Sequence, residues 1–468
     1  MSFFLSLYFL FLLYSFFQII RKWFHRKHHS CYIINYECFL PSDDRKINTE
    51  ICFEIGKRNK NLTLDDFNFA FRIMERCGVG EETYLPRSIL EGREMTPTLS
   101  DAIMEMEEFF YQTLDSLFSK SSISPSDIDV LVVNVSSLAP TPSLSARIVN
   151  HYKMREDIKV YNLSGMGCSA SIISLNLVQS HFETYKNLYA LILTSESIAP
   201  NWYQGNEKSM MLTNILFRSA GSAILLSNKP SLKHKAMFKL KHLVRTHLAA
   251  SDDAYECLMQ REDEHGYSGF TIGDKLPMVA DQAIRLNFRE LAPKIVPVWE
   301  LLRYIYHSSF QGKANMNFKT GIDHFIIHTG GRKILDTVGK SLGLSEYDLE
   351  PSRMSLYRFG NTAAASIWYV LAYMEAKKRL KKGNTVLMIN PGGGFKFNTC
   401  VLEVVNDLEG ENVWKHCIDS YPQKTTGNTY AEKYGWMSDI DSNTFELLRR
   451  DDKKMKEHIA RWIRNKNN

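Results

Sequence analysis

The eight cysteines of this 468-residue chain form no CxxC pair and fall at no metal-ligand spacing, so neither a disulfide framework nor a zinc site is expected. Net charge is scarce as well. At +5, with basic and acidic residues well mixed, the chain lacks the concentrated footprint of a nucleic-acid-binding protein and keeps only a mild attraction for anionic ligands or membrane surfaces. No convincing internal repeat is present, so any duplication in the fold is one of strand pattern rather than of sequence. What the chain does have is apolar material: 44% hydrophobic residues suffice for one large or two fused globular units with a sizeable core.

An aromatic-rich apolar run covers Phe3 to Ile20 and is followed by Arg21, Lys22, Arg26 and Lys27. At about 1.5 Å per helical residue it reaches roughly 27 Å, just enough to cross a thin endoplasmic-reticulum bilayer. It lacks the basic n-region and small-residue cleavage site of a secretory signal, and its positive charge lies on the C-terminal side. Residues 1–27 are therefore expected to be a membrane anchor helix with its basic flank, spanning or re-entrant. The positive-inside bias puts the rest of the chain on the cytosolic face of the endoplasmic reticulum membrane. Asn61, Asn134 and Asn162 stand in N-x-S/T sequons, but the latter two fall in expected strands and read as chance matches.

Residues 28 to about 60 read as polar and turn-rich, with helices expected over 64–77 and 102–117. Strands are expected at 130–135, 159–163, 188–194 and 223–226, and again at 238–244, 324–328, 386–389 and 400–404. Helical stretches at 331–342 and 362–378 lie between them. This alternation predicts an α/β fold with mainly internal, apolar strands. Two sets of four strands suggest a duplicated sheet, with halves at 28–235 and 236–405. Residues 406–468, polar and charged towards their end, predict a peripheral helical appendage or a partly mobile tail.

Cys168 closes the string Asn162-Leu163-Ser164-Gly165-Met166-Gly167-Cys168, where extended residues give way to Ile172, Ile173, Leu175 and Val178 at helical spacing. A thiol at a helix N-terminus feels backbone N–H groups and the positive end of the dipole, which lower its pKa from about 8.5 towards 7 and favour the nucleophilic thiolate. Gly165 and Gly167 permit the turn. A buried packing cysteine is the other reading of the same residue.

His328 ends the apolar strand that begins at His324, at the carboxyl edge of the sheet where ligands bind, and is the candidate base or charge partner. A core histidine satisfied by backbone has the same pattern. His324 shares its strand face and is a candidate for support or for packing. Asn361 precedes an alanine-rich helix, either as its N-cap or as an amide donating to an oxyanion. Gly392-Gly393-Gly394 follows a strand and can aim backbone N–H groups at a carbonyl oxygen.

Together these strings resemble the plant 3-ketoacyl-CoA synthases, condensing enzymes of very-long-chain fatty acid elongation in the thiolase superfamily. The resemblance covers roughly residues 30–423. It rests on Gly80-Glu81-Glu82-Thr83-Tyr84-Leu85-Pro86, Pro140-Thr141-Pro142-Ser143-Leu144-Ser145-Ala146, Asn201-Trp202-Tyr203, the Gly-Met-Gly-Cys168 string, His328-Thr329-Gly330-Gly331-Arg332 and Arg358-Phe359-Gly360-Asn361-Thr362. It implies a thiolase-like duplicated α/β layered fold, its first half carrying the nucleophile and its second the histidine and asparagine. By the same resemblance Cys168 is the acyl-accepting nucleophile, completed by His328 and Asn361. His247, His324 and Tyr357 support the site, and the backbone N–H groups of Cys168 and Gly393 or Gly394 form the oxyanion hole. Three departures stand out: Tyr357 where the family usually has histidine, one apolar segment where many members have two, and a tail after 423 without a recognised counterpart.

The reaction so implied transfers an acyl chain from a long-chain acyl-CoA to Cys168 and condenses it with malonyl-CoA, releasing CO2 and CoA and giving a 3-oxoacyl-CoA. No metal or redox cofactor is expected. Expected partners are a second copy of the chain and the other elongase subunits (ketoreductase, dehydratase and enoyl reductase), with no nucleic acid. The rival readings are a type III polyketide synthase-like enzyme and a catalytically poor paralogue acting as a regulatory partner.

Overall fold

Runs of aliphatic and β-branched residues become strands wherever both of their faces can be covered. In the computed structural model, which describes residues 30–311, 315–423 and 430–466, the strands longer than two residues are β1 (Tyr32–Cys38), β2 (Val130–Asn134), β3 (Lys159–Leu163), β4 (Tyr189–Ser195), β5 (Gly221–Ser227), β6 (Phe238–His247), β7 (Leu258–Glu262), β8 (Ser268–Ile272), β9 (His324–Ile327), β10 (Thr385–Gly392) and β11 (Lys396–Val404); β3 and β7 are the ones left largely uncovered. β7 and β8 form a separate hairpin. The other nine make one sheet in the order β9-β10-β11-β6-β1-β5-β4-β2-β3. β2, β4 and β5 are buried at every residue, as internal strands should be.

The expectation of a turn-rich segment over 28–60 is corrected here. Tyr32–Cys38 is a strand near the middle of the sheet, because Ile33 and Tyr36 find a buried face between β5 and β6. Thr49–Arg58 is a helix capped by the Asn48 side chain.

The principal helices are α1 (Thr49–Arg58), α2 (Leu64–Cys77), α3 (Leu99–Ser121), α4 (Leu144–Tyr152), α5 (Ala170–Thr184), α6 (Leu276–Ile295), α7 (Val298–Gln311), α8 (Arg332–Leu342), α9 (Glu346–Phe359), α10 (Ser366–Ala376), α11 (Ser442–Arg449) and α12 (Asp452–Lys466). α2 and α3 open on capping boxes, Thr63 with Asp66 and Thr98 with Asp101, and α2 stops at Gly78 with φ +89°. α10 is buried around its whole circumference from Ser366 to Glu375, which marks it as an interior helix.

Two half-sheets join through a short seam, Tyr32 opposite Lys239 and Ile33 opposite Phe238. α5 and α10 share one apolar core with Val132, Ile192 and Ile224 of the first half and Ile326, Met388 and Leu402 of the second. α3 and α4 cover the outer face of the first half, and α6, α8 and α9 that of the second. The result is the expected duplicated α/β layered fold, helices alternating with sheets and two helices at the centre. Each half contributes the carboxyl end of a strand to one place: β3 runs out towards Cys168 and β9 towards His328. The turns that precede the central helices, Gly167–Ser169 and Ala363–Ala365, touch there.

Phe3–Ile20 lies outside the described residues, and among the described residues no helix is long and apolar enough to cross a membrane. The tail is helical, as expected, and it is docked. Tyr434, Trp436 and Phe445 share a core with Phe53 of α1 and Phe67 of α2, the Phe53–Tyr434 rings lying 4.7 Å apart. Arg449, itself buried, donates to the carbonyls of Lys57 at 3.0 Å, Leu62 at 2.8 Å and Asn59. Arg449→Ala leaves those carbonyls without this donor and is expected to cost about 2–4 kcal/mol, read by urea unfolding, and to speed proteolytic removal of the tail.

Candidate active site

The turn that carries Cys168 is held from below. Gly165 N–H donates to the Ser136 carbonyl at 3.1 Å and Gly167 N–H to Ser136 Oγ at 2.9 Å. Both glycines have positive φ, +65° and +62°. From above, the Gly392–Gly394 loop closes onto the same turn so tightly that a Cβ on Gly392 would sit 2.6 Å from Ser169 N, and one on Gly167 3.1 Å from Gly393 N. Cys168 is buried at the floor of a cavity of about 500 Å³ whose lining includes Glu196, His247, Phe217, Met259, Phe270 and Gly393.

His328 and Asn361 are both buried and are not among the lining residues of this cavity. His328 Nδ1 lies 2.5 Å from Ser366 Oγ, at the first residue of α10, leaving Nε2 as its other polar end. The Asn361 carbonyl oxygen accepts the Ala363 N–H at 3.0 Å, so its amide nitrogen is the donating end that remains. Ala363 lines the cavity and has φ +49°, a left-handed conformation that costs a residue with a Cβ about 1–3 kcal/mol. The Asn361 backbone bridges Phe217, another lining residue, and Thr329 donates to the Gly360 carbonyl at 3.0 Å, tying the His328 and Asn361 segments together.

Burial sets the charges of the site. It pushes the Cys168 thiol up to about 12, the nearby Glu196 carboxylate adding to the effect, and it pushes His328 down to about 4. This runs against the expectation of a thiolate stabilised by a helix N-terminus: the desolvation of a buried thiol beside an anion outweighs what its backbone N–H contributes. The resting pair is neutral thiol and neutral imidazole. At the rim, desolvation and the Lys396 cation lower His247.

Of the residues singled out from sequence, Cys168, His247, Gly393 and Gly394 line the cavity; His328 and Asn361 do not, Asn361 being joined to the lining residues Ala363 and Phe217. His324 does not reach it. It lies at the opposite end of β9, four residues or about 13 Å from His328, and its Nε2 is 3.2 Å from Asn384 Oδ1. Tyr357 is also elsewhere: its carbonyl accepts the Gly80 N–H at 2.9 Å and its ring meets Tyr421 edge-on. Sequence reasoning missed Glu196, whose carboxylate accepts the N–H groups of Ser136 and Ser137 at 3.2 and 2.9 Å and so fixes the loop beneath the nucleophile. It missed Ser366 as well. The one signal for Glu196 was its place just past the carboxyl end of a buried strand. Among the described residues, no group of three or more His, Cys, Asp or Glu side chains is placed to hold a metal ion.

The family described as FAE1/Type III polyketide synthase-like protein matches residues 23–313, and 3-oxoacyl-[acyl-carrier-protein] synthase III C terminal matches residues 313–404. 3-Ketoacyl-CoA synthase 12 of Arabidopsis thaliana is 52% identical over 462 residues, covering 94% of this chain and 97% of that protein. 3-Ketoacyl-CoA synthase 19 of the same plant is 48% identical over 456 residues, covering 94% and 97%. Such coverage of this chain is not reached without residues beyond 423, so at least part of the tail has a counterpart. Among solved structures, the C-terminal type III polyketide synthase domain of Steely1, a type I/III hybrid from Dictyostelium, aligns with a TM-score of 0.63 at 16% identity. It covers 80% of this chain and 99% of that one, a likeness of fold.

Two outcomes are expected of this geometry. An unfolded imidazole titrates near 6.5 and the folded His328 near 4, so the folded state loses stability as pH falls through that window, about 3 kcal/mol in full. His328→Gln removes this term, and urea unfolding of the variant is expected to weaken less between those pH values. Glu196→Gln deletes the charge and keeps an acceptor for one of the two serine N–H groups, so alkylation of Cys168 by iodoacetamide at fixed pH should speed up by about three- to tenfold.

Proposed function

Because the chain belongs to the FAE1/type III polyketide synthase-like family, among 3-ketoacyl-CoA synthases about half identical to it over nearly their whole length, we propose that it is a condensing acyltransferase of very-long-chain fatty acid elongation. The observation that supports this reading is one largely apolar cavity lined by Cys168, Gly393 and Gly394, with Asn361 joined to the lining residues Ala363 and Phe217 and the His328 segment tied to it through Thr329 and Gly360. Its substrates are a long-chain acyl-CoA and malonyl-CoA.

In the first half-reaction the Cys168 sulfur attacks the acyl-CoA carbonyl. The thiol proton passes to His328 and then to the departing CoA sulfur, so no free thiolate need persist in the buried site. N–H groups of Cys168 and of Gly393 or Gly394 stabilise the tetrahedral oxyanion, each by about 3–4 kcal/mol. In the second half-reaction malonyl-CoA loses CO2. The enolate oxygen is held by Asn361 Nδ2–H and His328 Nε2–H, and its carbon attacks the acyl thioester. The 3-oxoacyl-CoA is released, and the Cys168 sulfur takes back a proton from solvent.

His328 must accept through Nε2 in the first half and donate through it in the second. Ser366 suits both, since a hydroxyl can accept from Nδ1–H or donate to Nδ1 as the tautomer changes, where a carboxylate would hold one form. The Tyr357 departure lies away from the cavity and gives no ground for a regulatory reading.

The reading extends to the protein's setting. The apolar run Phe3–Ile20 and its basic flank support anchoring in the endoplasmic reticulum membrane with the body in the cytosol. β3 ends the sheet and offers its edge to a second copy of the chain. The 3-oxo product calls for reducing and dehydrating partners.

Microsomes expressing the chain, given radiolabelled malonyl-CoA and saturated acyl-CoAs of graded length, should yield 3-oxo products two carbons longer. Cys168→Ala should abolish them. Well-expressed wild type that yields none across the panel defeats the proposal.

A further inference from the structure

On α7, six large apolar side chains have little protein against them: Val298, Trp299, Leu302, Ile305, Tyr306 and Phe310 are between 57% and 76% exposed. Their spacing puts all six on one face. The other side of the helix is pinned. Glu300 is buried and receives the Asn317 N–H at 2.6 Å and the Arg303 guanidinium, while Leu301 packs against the core of the second half-sheet. The bare stripe is therefore a fixed surface, with the Trp and Tyr that are enriched where a bilayer meets water.

Its location supplies the second observation. α7 follows α6, whose last residue, Ile295, presses its carbonyl against Gly321 so closely that a side chain there would collide; Gly321 lies just before β9. Glu300 is likewise tied to Asn317. α7 thus starts at the amino end of β9, the end opposite His328. The ladder runs on from there: His324 lies beside Val386, Thr385 opposite Glu403, Val404 opposite Phe238 and Phe238 opposite Ile33. So the chain that follows Phe3–Ile20 and Arg21, Lys22, Arg26 and Lys27 enters the body along this same edge. The turn between β5 and β6 adds Lys229, Lys233 and Lys235 to it, with no acidic residue from 229 to 235.

We propose that this edge rests on an anionic phospholipid bilayer and that the apolar face of α7 lies in the boundary between headgroups and acyl chains, as a membrane contact separate from the N-terminal run. An apolar, aromatic stripe on the edge where the chain enters from its N-terminal apolar run fits a helix lying in that boundary. The active-site edge then faces away from the membrane, towards water-soluble CoA thioesters. The inference rests on the membrane anchoring proposed above.

The test is photocrosslinking of the full chain, reconstituted in vesicles of phosphatidylcholine with phosphatidylinositol, with benzoylphenylalanine placed singly at positions 302, 305 and 310. Position 447, on an exposed leucine of α11, serves as the comparison. Lipid adducts at the three α7 positions, about tenfold above position 447, are expected. Chain that pellets with the vesicles but crosslinks at α7 to another protein, to a second copy, to its own residues 1–29 or to nothing overturns the α7 contact and leaves the anchor standing. Chain that does not pellet overturns both. Leu302→Glu with Phe310→Glu, at exposed positions where folding is not at stake, should leave vesicle pelleting intact and cut the adduct at position 305 about tenfold.

Discussion

Backbone meets backbone where the two halves of this molecule touch the nucleophile, and the site depends on that approach. The Gly392–Gly394 loop, closing a hairpin of the second half, comes to within side-chain exclusion of the Gly167–Ser169 turn of the first. Only residues without a Cβ allow it. Because the turn in front of α10 meets the same place, both central helices begin there, and their shared apolar core holds the halves at a fixed distance. A half-sheet alone would present either the cysteine with only its own N–H as donor or the glycine-loop donors without a cysteine.

The site so enclosed is close to electrically neutral. Burial disfavours the anionic thiolate and the cationic imidazole alike, and the Glu196 carboxylate adds to the first effect. A reaction that passes through one transient oxyanion after another gains from such surroundings, since fixed N–H donors act most strongly where little else responds to the charge. The nucleophile's reactivity then resides in the moment of proton transfer rather than in a standing population of thiolate.

How much of this could be read from the chain depended on whether a residue's role was local. Cys168 was legible because a glycine-flanked thiol between strand and helix is a local event. His328 and Asn361 were legible at element boundaries, and the eight strands by their apolar runs. His324 was misjudged because sharing a strand face says nothing of how far along it a residue lies, and His324 and His328 belong to opposite ends of the same strand. The thiol's acidity was misjudged because the helix dipole is visible in sequence while burial is not. β1, the hairpin of β7 and β8, Glu196 and Ser366 acquire their meaning only from what the tertiary fold sets beside them.

The docked tail has a consequence for the order in which the molecule can be made. α1 and α2 are among the first elements to leave the ribosome, yet the apolar face formed by Phe53 and Phe67 is closed by Tyr434, Trp436 and Phe445. Arg449 reaches back across 392 positions to the Lys57 carbonyl. At roughly 5–20 residues per second, those aromatic rings wait some 20 to 80 seconds for their cover. For that interval the nascent chain displays an apolar patch whose cover is the last part of the same chain to be made.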